Sequence, residues 1–381
     1  MLFEPSEAQA RVAALAREVA RGVVAPAARE GDRTGRFPAD VVREMGRVGL
    51  LGLSVPGDLG GAGAGAVAYA LAVMEIAAAD CSVAVTMAVT SMVGETIARF
   101  GTRAQALRCC PPLASGEWLA GAFALSEPQA GSDSGALATR AARHPGGWVI
   151  EGEKQWITNG DLAGVVVVWA RTDPAAGTRG ISAFLVEQGA PGLRVGRHER
   201  KMGLRASSTV SLAFEDCFVP DSALLGAPGD GFRIAMAALD GGRIGIAAQA
   251  TGTIAAALEA AVAHARARRA SGHAIGEIQA IELTLADTRT DHDAARLLTL
   301  CAAARKERVL PFRREASMAK LFASEAAQRA TARAVQIHGA SGCTDAFPVE
   351  RYLRDARVQT IYEGTSEIQR TVVARSLPGP E

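Results

Sequence analysis

The stretch Trp148-Val149-Ile150-Glu151-Gly152, continued after one residue by Lys154-Gln155-Trp156-Ile157-Thr158-Asn159-Gly160, decides the fold. Short β-branched and aromatic runs closed by Gly or Asn-Gly predict strands. Similar runs follow at Val165 to Ala170, Ile181 to Val186 and Thr209 to Phe214, so residues 121–230 read as mainly β. Working outward, both flanks change to apolar residues at three- and four-residue steps, the helical period. On the N-terminal side these are Glu7 to Val24, Ala39 to Gly49 and Ala66 to Ala79, with Pro26, Pro56 and Gly60-Gly61 read as breaks. On the C-terminal side long segments near 231–268, 278–305 and 314–337 precede shorter ones near 348–355 and 366–375. Helical, β, helical is not the strand-helix alternation of a parallel α/β sheet. A multidomain α+β chain with domains at 1–120, 121–230 and 231–381 is expected, and any nucleotide is held outside a Rossmann unit. The glycines of Asp58 to Gly65 miss the GxGxxG spacing and are read as a flexible turn.

Composition limits the remaining classes. The chain has 381 residues, 49% hydrophobic and 21% charged, with 41 basic side chains against 40 acidic ones. Such a chain buries large cores and is not disordered. The charge balance gives no case for nucleic-acid binding. Only four basic residues are lysines, a bias that codon usage explains without a phosphate-binding role. Six cysteines, at 81, 109, 110, 217, 301 and 343, lack the density of a disulfide scaffold and the CxxC spacing of a zinc site, so no metal is expected. Cys109-Cys110 before Pro111-Pro112 is read as a helix terminus rather than a redox pair. The polar start Met1-Leu2-Phe3-Glu4-Pro5 and the charges within Val67 to Val89 argue against a leader and an integral membrane span, and a cytoplasmic location is expected.

Three islands carry chemical information. Phe123-Ala124-Leu125-Ser126-Glu127-Pro128-Gln129-Ala130-Gly131-Ser132-Asp133 forms a turn of small polar residues that presents N–H and hydroxyl groups to an anion or heterocycle, or serves only as a surface loop. In the second, Lys154 to Gly160, a Trp followed by Thr at a strand edge suits a ring system, although hairpins also end this way. In the third, Tyr362-Glu363-Gly364-Thr365-Ser366-Glu367, Thr or Ser caps a helix start. Glu363 is either an ordinary charged residue there or, in an apolar pocket, a carboxylate with a raised pKa able to act as a general base.

With Asp240-Gly241-Gly242-Arg243 and Gln336-Ile337-His338-Gly339, these islands resemble the acyl-CoA dehydrogenase family in spelling and order, from Leu2 and Phe3 through Arg375. Leu239 to Ala247 is most similar to the short-chain, butyryl-CoA type. The resemblance implies an N-terminal helical domain, a central β domain and a C-terminal four-helix domain, with FAD between the last two, in a homotetramer. It implies that Phe123, Leu125, Ser126 and Ser132 line the flavin, and that Trp156, Ile157 and Thr158 cover its other edge. Arg268, Gln279 and the segment Gln336, Ile337, His338 and Gly339 would reach a neighbouring subunit's FAD, while Thr365 and Glu367 would contact the rest of the dinucleotide. Ser132, Asp240, Arg243 and Gly364 correspond to substrate-contacting positions.

The implied chemistry is α-proton removal by Glu363 with hydride transfer from the β carbon to flavin N5, giving a trans-2-enoyl-CoA and passing electrons to an electron-transfer flavoprotein. In the family the enolate oxygen is stabilised by the base residue's own N–H and a ribityl hydroxyl. Position 242, where isovaleryl-type relatives place their base, is glycine here. Two departures stand out: Ser271 in Arg268-Arg269-Ala270-Ser271-Gly272, where relatives have Phe, and Gly339-Ala340-Ser341-Gly342-Cys343, which lacks the usual tyrosines. Alternatives are therefore a dehydrogenase of a branched acyl-CoA or of an acyl-carrier-protein thioester, and a flavin-poor binding or assembly homologue. His338 is read as a structural hydrogen-bonder.

Overall fold

The computed structural model describes residues 4–377; Leu2 and Phe3 lie outside the described residues. A capping box between Ser6 and Gln9 starts α1 (Glu7–Val19). Pro26 does not break the segment as expected. One π turn, Ala20–Val24, carries the chain into α2 (Ala25–Thr34), with the Ala25 N–H bonded to Ala20 O, so the missing proline donor falls where the helical register is already shifted. Next come α3 (Ala39–Arg47), α4 (Gly65–Ala79), α5 (Cys81–Phe100) and α6 (Arg103–Ser115). The Cys109-Cys110-Pro111-Pro112 run is not a terminus. It lies inside α6, which ends at the left-handed Gly116, and both thiols are free and buried.

One eight-stranded sheet forms the middle of the chain from β1 (Ala120–Ala124), β2 (Arg140–His144), β3 (Gly147–Thr158), β4 (Ala163–Arg171), β5 (Ile181–Glu187), β6 (Leu193–His198), β7 (Thr209–Pro220) and β8 (Leu224–Leu225). The order is β6-β7-β3-β2-β4-β5-β8, and β1 lies parallel to β4. The alternation of side chains sends Val165, Val167 and Trp169 to a core shared with Val93, Cys109 and Ile234, while Val166 and Val168 join Ile150, Phe184 and Phe214 on the other face. Trp169 also donates its Nε1–H to Gly231 O at 2.7 Å, tying the sheet to the next helix.

That helix, α7 (Gly231–Ala267), is followed by α8 (Gln279–Glu307), α9 (Arg313–His338), α10 (Val349–Gln359) and α11 (Ser366–Ala374). Alanine dominates their contacts, and one core joins them to the N-terminal helices through Val73, Ile76, Ile244, Ala302 and Ala323, all essentially buried. Helices α5 and α7 are long and apolar enough to cross a bilayer, but 83% and 67% of their apolar windows are buried within the protein. Between α7 and α8 a two-stranded ribbon pairs β9 (Arg269–Ala270) with β10 (His273–Ala274). Its two turn residues, Ser271 and Gly272, have φ of 51° and 85°, the pair of positive values a tight primed turn needs. Ser271 is exposed there, a position where the loss of an aromatic leaves no hole in this subunit's core.

Candidate active site

The loop between α10 and α11 is bent by consecutive left-handed residues, Glu363 at φ 55° and Gly364 at φ 88°. Such strain in a non-glycine residue persists only where the surroundings fix it. Here Gln369 Nε2 donates to Glu363 O at 3.1 Å and to Gly364 O at 2.9 Å, and Lys320 Nζ donates to Gly364 O at 2.8 Å. The Tyr362 hydroxyl donates to Gln249 Oε1, and Thr365 Oγ1 accepts the Ile368 N–H to cap α11. A Cβ at Gly364 would lie 2.6 Å from Gln369 Nε2. Gly364→Ala is thus expected to lower stability by about 1–3 kcal/mol, read as a lower unfolding midpoint, and to reduce turnover with it.

The bend turns the Glu363 carboxylate against Gly242 on α7, where a Cβ would lie 2.7 Å from Oε2 and 2.9 Å from Met92 Sδ. The Oε2 atom is buried and has no hydrogen-bond partner among the described residues. Burial pushes the Glu363 carboxyl up to about 7, although Arg243 and Lys320 pull it down. Burial likewise lowers the Lys320 ammonium to about 8, with Glu363 opposing the shift. The Glu363 N–H meets no acceptor among the described residues, leaving a donor beside the carboxylate.

Asp240 and Arg243, expected at the substrate, are first of all each other's partners. Arg243 Nη1 donates to Asp240 Oδ1 at 2.6 Å and to Ser317 Oγ at 3.4 Å, and Asp240 also accepts from Arg313. Arg243 is buried, so it acts on Glu363 as a fixed nearby charge. Met92, Glu95, Thr96, Phe100, Ala238 and Gly241 enclose a narrow cavity of about 10 Å³ beside this point. Lys306 Nζ bonds to Glu95 Oε2 at 2.7 Å and lies against Gly241.

The first and second islands meet at the sheet edge. The Gln155 N–H donates to Ser126 O at 3.0 Å, and Lys154 Nζ reaches both Leu125 O at 3.2 Å and Glu127 Oε1 at 2.7 Å. Glu127 also accepts from the N–H groups of Ala138 and Thr139, the Thr139 hydroxyl and Gln129 Nε2. Burial opposes ionisation of Glu127, but Lys154 and these donors hold the carboxyl down to about 2. In a regular strand, residues 154 and 156 would share a face. A bulge between Lys154 and Ile157, with Trp156 at φ 64°, breaks that rule: Lys154 is 0% exposed and Trp156 57%.

Several expected cofactor residues point inward. The Ile157 side chain is in the sheet core, so only its main chain remains for a ligand; Leu125 is buried, and Phe123 packs on Trp169 at 4.1 Å. Thr158 is half-buried and Ser132 lies exposed on its turn. Thr365 and Glu367 border a cavity of about 290 Å³ lined also by Gln328, Arg357, Ile361 and Ser366, where Ser366 Oγ and Gln328 Nε2 are buried without partners. Arg268, Gln336 and Gly339 are exposed at the far ends of α7 and α9, which His264 and His338 join by stacking at 4.2 Å, and Gln279 is exposed at the start of α8. His338 Nδ1 bonds Ala334 O, and Ile337 packs in the core beneath. Arg268 follows Gly242 by 26 positions along α7, about 39 Å at about 1.5 Å per residue. The structure therefore does not bring Arg268 and Glu363 together within one subunit.

Glu127 with Lys154, Lys320, Gln249 and Gln369 were not singled out from the sequence. The one available signal was chemical: Gln249 and Lys320 are the large polar side chains on helix faces made otherwise of small residues. Among the described residues no group of three or more His, Cys, Asp or Glu side chains is placed to hold a metal ion.

Comparison with known proteins agrees with this arrangement over nearly the whole chain. Models of the acyl-CoA dehydrogenase N-terminal, middle and C-terminal domains match residues 6–117, 122–217 and 229–377. The chain is 48% identical over 362 residues to the mitochondrial short-chain specific acyl-CoA dehydrogenase of Bos taurus, covering 95% of this chain and 88% of that protein. Butyryl-CoA dehydrogenase from Megasphaera elsdenii superposes with a TM-score of 0.97 at 39% identity, covering 99% of each chain. A glutaryl-CoA dehydrogenase from Mycobacterium smegmatis in complex with FADH2 superposes with a TM-score of 0.93 at 30% identity, covering 99% of this chain and 96% of that one. With three matched domains in the order the helical, β and helical segments take here, the chain belongs to the acyl-CoA dehydrogenase family.

Proposed function

We propose that this enzyme removes hydrogen from the α and β carbons of a short-chain acyl-CoA, giving the trans-2-enoyl-CoA. The observation that carries the reading is the Glu363 carboxylate: buried, unpartnered at Oε2, raised to about 7 and held by a strained loop. A general base with a pKa near the working pH combines a useful ionised fraction with proton affinity.

The residues fit FAD. Trp156 is an exposed aromatic turned outward by a bulge, and the main chain of Leu125 and Ser126 is fixed beside it. The cavity at Thr365 and Glu367 offers the orphaned Ser366 hydroxyl and Gln328 amide to polar groups of a dinucleotide. When bound, FAD would supply the acceptor for the hydride leaving the β carbon. Glu363 takes the α proton onto its carboxylate, and its free N–H is a donor for the thioester oxygen as negative charge develops there. Arg243 and Lys320 limit the rise in the base's pKa, and Gly242 leaves room for the carboxylate.

Arg268 lies too far from Glu363 to serve the same dinucleotide, which supports cofactor sites completed between subunits, as in a homotetramer. Six free cysteines support a reducing, cytoplasmic setting. Electron-transferring flavoprotein is the proposed acceptor. Anaerobic titration of the purified protein with butyryl-CoA, octanoyl-CoA and isovaleryl-CoA tests the reading. Bleaching of bound flavin is expected with butyryl-CoA first; a flavin-loaded protein that no acyl-CoA bleaches would refute it.

A further inference from the structure

Gly242, Gly245 and Gln249 fall on one stripe of α7, at the i, i+3 and i+7 positions that face the same way. Gly242 receives the Glu363 carboxylate, and Gln249, two turns on, receives the hydroxyl of Tyr362, the residue just before the base. Between them, a Cβ at Gly245 would meet Tyr69 Oη. The glutamine is completely buried and its side chain is used at both ends, since Nε2 donates to Cys81 O at 2.9 Å at the start of α5. Thr253, one turn further, donates to Gln249 O at 2.9 Å and accepts from Gln359 Nε2 at 2.9 Å, the last residue of α10. Cys81 Sγ lies 3.1 Å from the same Thr253 hydroxyl. The network thus joins α5, α7, the end of α10 and the loop bearing Glu363. A residue near 55° in φ does not hold its side chain direction alone, and the atoms on either side of Glu363 supply the fixing: Gln369 and Lys320 after it, Gln249 through Tyr362 before it.

We infer that Gln249 is a positioning residue for the reaction, holding the base in register with the substrate's α carbon through the Tyr362 hydroxyl. This rests on the assignment of Glu363 as the base. Misplacing a reacting group slows chemistry more than it weakens binding when the binding contacts lie elsewhere. Removing one partner strands the other in the interior, whereas removing both leaves no orphan.

The test compares Gln249→Leu, Tyr362→Phe and the double variant as FAD-loaded proteins, measuring kcat, KM for butyryl-CoA, thermal midpoint and deuterium uptake at the α carbon of the acyl-CoA in D2O. Each single variant is expected to lose about tenfold or more in kcat and in deuterium uptake, with KM and FAD content within about twofold. The double variant is expected to recover the thermal midpoint relative to Gln249→Leu while turning over at about the rate of the slower single variant. Wild-type kcat in folded Tyr362→Phe, or losses that multiply in the double variant, would overturn the inference. If Gln249→Leu does not fold, Tyr362→Phe and the double variant carry the same decision. Near-normal activity of Glu363→Gln would instead remove the base assignment, so the two failures are distinct.

Discussion

Glu363→Gln is expected to keep FAD and the fold yet lose about 10³-fold or more in turnover, because amide nitrogen and oxygen cannot take up the α proton. The second half of the result is a gain in stability. The native carboxyl titrates near 7 instead of 4.5, so from about pH 4.5 upward the unfolded chain ionises while the folded one stays protonated. The folded state then binds more protons, and stability falls as pH rises, fully by a little above pH 7. A shift of this size corresponds to about 3–4 kcal/mol. Glutamine mimics the protonated form, so its unfolding midpoint should match the wild type near pH 4 and exceed it at pH 8. In the wild type, kcat/KM should rise with pH through about 7. A variant with ordinary turnover, or with equal midpoints at both pH values, contradicts a buried base at this position.

Lys154→Met is the substitution expected to damage the protein most. It leaves Glu127 ionised in the interior, where losing one member of a buried pair costs about 3–5 kcal/mol. The Leu125 carbonyl loses its donor too, so the edge that carries Ser126 is released from the strand that carries Trp156. Weaker FAD retention should accompany the lower unfolding midpoint. Glu127→Leu combined with Lys154→Met removes both charges but strands the Ala138 and Thr139 N–H groups, so only part of the stability is expected to return. Retained wild-type stability in Lys154→Met alone, measured by denaturant unfolding, would mean that the pair contributes little.

Much of this organisation was legible in the sequence because it is local. The runs Trp148 to Gly152, Val165 to Ala170, Ile181 to Val186 and Thr209 to Phe214 all fall within strands, and the long C-terminal periods fall within helices. Short-range signs misled where tertiary packing overrode them. Pro26 and the Pro111-Pro112 pair sit inside helical segments, the first next to a π turn and the others in a helix packed on Gly60. The site was readable as motifs but not as geometry. Nothing adjacent to Lys154 announces that its partner is Glu127, 27 residues earlier, and nothing near Tyr362 announces Gln249. The outward turn of Trp156 depends on a bulge whose register is set by β7, a strand far along the chain.

The four lysines have a practical consequence. Lys154 and Lys320 are fully buried, Lys306 is paired with Glu95, and Lys201 donates to Ser207 O at 2.7 Å; none is exposed. The cationic exterior is made of arginine, which amine-directed reagents do not touch and which keeps its charge in mild alkali. Acylation of Lys154 and Lys320 would therefore wait for the fold to open, while Lys201 and Lys306 stay partly accessible. A labelling time course resolved to Lys154 and Lys320 would count opening events, where in most proteins lysine labelling maps the surface.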